Sequence, residues 1–145
     1  MEGERNRGPS KPRRRAVGGG KPNRGDFGSA ILVRAKLSGA ILTHTHFPSA
    51  NLGRADLAGA DLRRANFHGA YLAQSNLREA DLIWASFSEA SLVGADLGRT
   101  TLIGTDLSWT NLLKADLSGA VLTNAILHGA NLATESLPAR VRDRA

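Results

Sequence analysis

A five-residue period governs most of this chain and leaves few folds open to it. Stepping by five from Phe27 through Leu32, Leu37, Leu42 and Phe47 to Leu137, all 23 positions are leucine or phenylalanine. Two residues before each centre stands alanine at 16 positions, threonine at four (Thr45, Thr100, Thr105, Thr110), and Gly25, Ser75 and Glu135 at the rest. The residue between is Asp or Asn in 12 of the 23 units, which marks it as the polar side of the pattern. Successive side chains of an extended segment point to opposite faces. The small residue and the large apolar centre therefore share an inner face, and the Asp or Asn between them points outward. The last two residues of each unit form a corner. Pro48 and Pro138 take its first position, and glycine takes the second in seven units, among them Gly39, Gly94 and Gly129, where a type II turn calls for positive φ.

Other secondary structures do not accommodate this pattern. At about 100° per residue a period of five would spread the leucines around every side of a helix. A conventional strand is excluded because alternation lasts only three residues before each corner. The phenylalanines set the number of sides. The chain has four, Phe27, Phe47, Phe67 and Phe87, each 20 residues after the last. Twenty residues are four units, so the expected fold is a square coil in which Phe stacks on Phe along one side, continued by Leu107 and Leu127. These six residues are the expected spine of the core. At about 4.8 Å per coil, about 5.75 coils make a rod roughly 28 Å long.

The run of A-D/N-L-x-x units, as in Ala55-Asp56-Leu57 and Ala130-Asn131-Leu132, resembles the pentapeptide-repeat family over residues 25–139. The resemblance implies an all-β fold, a right-handed quadrilateral β-helix. Residues 1–24 are then expected to be a disordered basic tail, and 140–145 a short C-terminal tail. Weak caps at both ends make fraying or end-to-end pairing of two rods an expectation, because an uncovered coil presents unpaired backbone groups.

The net charge of +6 is unevenly distributed. Residues 1–24 carry eight Lys/Arg and two Glu, whereas 25–139 carry eight basic and ten acidic side chains, a net of −2. Lys11, Arg13, Arg14, Arg15, Lys21 and Arg24 form a candidate polyanion-binding tail, with non-specific, salt-sensitive nucleic-acid contact as its function. No aromatic residue interleaves these charges, so base stacking has no support there. The chain has no cysteine, hence no thiolate nucleophile or disulfide. The first 24 residues hold no hydrophobic core of a signal peptide, and no apolar run is long enough to span a bilayer. A cytoplasmic location with no membrane partner is the expectation.

No catalytic constellation, phosphate loop or metal-ligand spacing is visible, so no cofactor is expected. His44, His46, His68 and His128 read as surface histidines, and the Asp/Asn ladder of Asp56, Asn76, Asp96 and Asp116 reads as solvated outer residues. An outward apolar group, Ile83, Trp84, Val93, Ile103, Trp109 and Leu113, is the candidate partner surface. The resulting functional reading is a non-enzymatic, rigid protein-binding scaffold with an unidentified partner. The family resemblance implies an alternative, DNA-mimic binding to a gyrase-type topoisomerase as in quinolone-resistance members. Those members are strongly acidic, whereas here Arg34 and Arg54 line one side with Lys114 further along.

Overall fold

The computed structural model describes residues 24–133 and 137–138. Backbone bridges are all parallel and all join residues 20 apart, from Asp26 with His46 to Asn111 with Asn131. Each coil therefore takes four five-residue units, and the rod has four sides. Side 1 carries centres Phe27 through Leu127, side 2 Leu32 through Leu132, side 3 Leu37 through Leu117, and side 4 Leu42 through Leu122, each in steps of 20.

The hydrogen bonds of one unit explain why the pattern repeats so strictly. In unit 65–69, Ala65 N–H donates to Leu62 C=O across the preceding corner at 3.0 Å. Asn66 N–H donates back to Thr45 C=O at 2.9 Å, while Phe67 and Gly69 donate forward to Ser86 and Ser88 at 2.7 and 3.0 Å. Only the first-corner N–H remains, and the Asn66 side chain takes it: His68 N–H to Asn66 Oδ1 is 2.9 Å. The outward Asp/Asn is thus more than a solvated residue, which corrects the sequence reading. It closes the one backbone donor that the coil leaves over. Asp26, Asp56, Asp81, Asp96, Asp106 and Asp116 do the same for the residue two ahead, as do Asn51, Asn76 and Asn111. His46 lacks such an oxygen acceptor, and the residue two ahead of it is Pro48, which has no N–H to satisfy.

Positive φ occurs at every second-corner position from 29 to 129, at 14 non-glycine and seven glycine residues. The turn is therefore imposed by the coil and does not await glycine. A left-handed non-glycine residue costs about 1–2 kcal/mol. The inter-coil bonds on either side of each corner, together with burial of its centre, offset that cost.

The interior is the predicted stack. Phe27, Phe47, Phe67 and Phe87 lie ring over ring at centroid distances of 5.2, 4.8 and 4.7 Å, tilted by no more than 13°. Phe47, Phe67, Phe87 and Leu107 are fully buried, whereas Phe27 and Leu127 are partly open because they stand near the ends. Alanines fill the space beside the centres. Where threonine replaces alanine its hydroxyl finds a carbonyl: Thr100 bonds Leu97, Thr105 bonds Leu82 and Thr110 bonds Phe87, each at 2.7 Å. Ser75 is the exception, with a buried Oγ that has no partner. Among the described residues no helix is long and apolar enough to cross a membrane.

Candidate functional site

Sorting the exposed residues by side reveals a division that the net charge conceals. Side 1, units 25–29 through 125–129, holds Asp26, Glu89 and Asp106 and no Lys or Arg. Side 2, units 30–34 through 130–134, holds Arg34, Arg54 and Lys114 and no carboxylate. Sides 3 and 4 mix both signs and pair them. Arg78 meets Asp96 at 3.4 Å, Arg99 meets Glu79 at 3.6 Å, and Arg63 holds Asp61 with two bonds of 2.8 Å. That bidentate contact, with Asp81 nearby, raises the Arg63 pKa above its ordinary value. Arg34, Arg54 and Lys114 have no carboxylate partner among the described residues.

Side 2 also carries a groove. One wall is the outward row Asn51, Tyr71 and Ser91, and the other is the corner row Arg34, Arg54 and Gln74. The floor is the first-corner row Val33, Gly53, Ala73 and Val93. In its middle the small residues Gly53 and Ala73 are buried, which lets the Tyr71 ring settle against the backbone. The Tyr71 ring lies beside Gly53, where an added Cβ would stand 3.1 Å from Cε1, and Arg54 Nε donates to Gln74 Oε1 at 2.8 Å. Four of the eight exposed large apolar side chains among the described residues belong to this side: Ile31, Val33, Tyr71 and Leu113.

The apolar group expected from sequence is distributed over three corners. Ile83, Trp84 and Ile103 lie between sides 4 and 1, Trp109 between sides 1 and 2, and Val93 with Leu113 between sides 2 and 3. Each tryptophan folds flat over the corner glycine of the next coil. A Cβ on Gly104 would lie 2.6 Å from the Trp84 ring, and Gly129 stands in the same relation to Trp109. Trp109 also meets His128 edge-on at 5.2 Å. Both indoles remain about three-fifths exposed, at 60% and 62%. Val93 alone of the six lines the groove, with Leu113 one coil beyond. Tyr71, Ile31 and Val33 were not singled out from sequence, although ordering the chain by 20 would have aligned them with Arg34 and Arg54.

The same ordering brings His68 Nδ1 to 2.9 Å from Ser88 Oγ, a hydroxyl–imidazole pair that the sequence reading did not foresee. It is exposed on a flat side and has no carboxylate bonded to the imidazole, so it lacks the third group that would orient a base. No cluster of three potential metal ligands occurs among the described residues. Of the basic tail, Arg24 is exposed, and Lys11, Arg13, Arg14, Arg15 and Lys21 lie outside the described residues, as does the stretch 139–145.

This geometry defines a β-solenoid whose flat sides display ladders of side chains at a 20-residue register. The family model for pentapeptide repeats matches residues 30–69, 65–102 and 102–133 in eight copies, and the chain belongs to that family. Its members are right-handed quadrilateral β-helices and are in general structural scaffolds. The chain is similar to a pentapeptide repeat protein, Rfr23, of the cyanobacterium Cyanothece 51142, at 35% identity over 61% of this chain and 60% of that one, with a TM-score of 0.60. It also resembles a pentapeptide repeat protein of the Arabidopsis thaliana thylakoid lumen, at 32% identity over 71% and 70% of the chains, TM-score 0.55. QnrB1, a plasmid-mediated fluoroquinolone resistance protein, shares the fold at 19% identity over 72% and 58% of the chains, TM-score 0.65. The chain thus spans about three-fifths of the length of the Rfr23 chain and of the trypsin-treated QnrB1 chain. No curated protein sequence matches.

Proposed function

We propose that this chain is a non-enzymatic scaffold, a rod of about 5.75 coils, that binds a protein partner through side 2. The observation that carries the reading is the coincidence on one side of three unpaired cations, no carboxylate and half of the exposed large apolar residues. Apolar area joined to unpaired charge of one sign is the composition of an interaction surface. Sides 3 and 4 mix and pair their charges, and side 1, also of one sign, has only Trp109 and Ile126 as exposed large apolar residues against the four of side 2. The rigid inter-coil ladder fixes these side chains in place, so binding orders little backbone. Mimicry of duplex DNA calls for a ladder of negative charge. The three carboxylates of side 1 and the net −2 of residues 25–139 supply little of one.

The test compares proteins retained by the wild-type chain, by a Tyr71→Ala/Arg54→Ala variant and by a Trp84→Ala variant. The reading expects a partner that the wild type and Trp84→Ala retain, that the side-2 variant loses, and that rebinds as purified protein. Loss on Trp84→Ala with retention by the side-2 variant contradicts it. In a gyrase supercoiling assay the chain is expected to cause no inhibition at micromolar concentration.

A further inference from the structure

Resting on the scaffold reading, we propose that the side-2 groove takes an extended, acidic segment of the partner, with an apolar residue next to its carboxylates. The groove runs along the rod axis, because its floor and both walls are columns of residues 20 apart. Rungs of such columns are spaced by about 4.8 Å, and an extended chain advances about 3.3 Å per residue, so a short peptide lies along several rungs. Arg34 and Arg54 stack one coil apart on the same wall. Two like charges at that spacing repel each other, and no carboxylate of this chain relieves them. A carboxylate laid across the pair would, and the planar guanidinium forks suit it. Arg54 is already oriented by Gln74 at 2.8 Å, which leaves its outer N–H groups to face the ligand.

The groove's apolar residues supply the second half of the specificity. Gly53 and Ala73 are buried at the bottom of the groove, with the Tyr71 ring against Gly53 and Val33 and Val93 further along the same row. The apolar surface it offers is the exposed face of Tyr71 with Val33 on the neighbouring row, against which an aliphatic or aromatic side chain packs. Tyr71 is 51% exposed, which leaves ring surface available to cover that side chain. The cation wall and this apolar surface line one groove, so carboxylate and apolar side chain must be near neighbours in the ligand.

The test uses the full chain and three fluorescein-labelled decapeptides: one alternating glutamate with leucine, one of glutamate alone, and one alternating lysine with leucine. Fluorescence anisotropy is read for the wild type, for Arg34→Glu/Arg54→Glu, and for Arg64→Glu at an exposed corner of side 4. The proposal expects the glutamate–leucine peptide to bind best. Its affinity should fall at least about tenfold in the side-2 variant, as for loss of an interfacial charge pair, and hold in Arg64→Glu. Equal binding of the all-glutamate peptide, or equal loss in Arg64→Glu, reduces the effect to non-specific attraction by the basic residues and overturns the proposal. So does preference for the lysine peptide or absence of binding. If the partner capture described above succeeds on side 2 while the acidic peptides fail, the scaffold reading stands and this inference falls.

Discussion

Removing the side-chain acceptor at Asp106 should destabilise the rod, and removing the donor it serves should cancel most of that loss. Asp106 Oδ1 accepts the Ser108 N–H at 2.9 Å, a half-buried contact. A net hydrogen bond is worth about 0.5–1.5 kcal/mol, and more when one partner is charged. Partial exposure holds Asp106→Ala to a cost of about 1–2 kcal/mol, at about 4 °C in Tm per kcal/mol for a domain of this size. Pro48 occupies the same column as Ser108 three coils earlier, so that corner accepts proline. In Asp106→Ala/Ser108→Pro the donor is gone with its acceptor. The double variant should lie about 1 kcal/mol above the sum of the two singles, a coupling that a double-mutant cycle in urea resolves. His46→Ala is the matched control on the same side. Pro48 has no N–H, so that substitution should stay within about 0.5 kcal/mol of wild type. If Asp106→Ala and His46→Ala cost the same, or if the double variant equals the sum of the singles, the assignment of Asp/Asn as the fifth hydrogen-bond partner in the units that carry it is wrong.

Three further outcomes are expected. Ser75→Ala removes a buried hydroxyl without a partner and should raise stability by about 1 kcal/mol, read from the urea midpoint at unchanged slope. Gly129→Ala places a Cβ against the Trp109 ring at a φ of +66°; it should cost about 1–2 kcal/mol and shift tryptophan emission, whereas Gly39→Ala, with open space at its Cβ, should cost stability and leave emission unchanged. The Ser118 hydroxyl and backbone N–H hold the Asp116 carboxyl below its ordinary pKa. A depressed folded value contributes stability that is present above the unfolded pKa of about 3.9 and lost as pH falls through the folded one. Asp116→Asn should therefore flatten the acid side of the midpoint-versus-pH curve.

The architecture was legible because one period fixed the inside and a second fixed the number of sides. Phe27, Phe47, Phe67 and Phe87 sit 20 apart in sequence and ring over ring in the structure. Corner conformation was legible only in part. Glycine at seven corners pointed to positive φ, but Arg34, Trp84, Glu89 and 11 other non-glycine residues adopt it too. Propensity is local, and there the forward and backward bonds of the neighbouring coils override it. The role of Asp and Asn left one trace in the chain, His46 standing two before Pro48, but nine other described units lack Asp or Asn without a proline, so it emerges only once every backbone N–H is assigned a partner. The site was the least legible part. Tyr71 lies far in sequence from Arg34, and only the 20-residue register places them on one groove. The two tryptophans, which draw the eye as outward aromatics, spend one ring face each on Gly104 and Gly129.

The central claim is that one side of this rod, side 2, meets the partner. Photoreactive benzoylphenylalanine placed singly at Ser86, Ser91, Lys36 and Thr101 samples sides 1, 2, 3 and 4 in turn, at outward positions that are neither Asp nor Asn. The account predicts a discrete crosslinked partner from position 91 and little or none from positions 86, 36 and 101. Capture from 86, 36 or 101 as strong as from 91, or capture that leaves 91 silent, would contradict it.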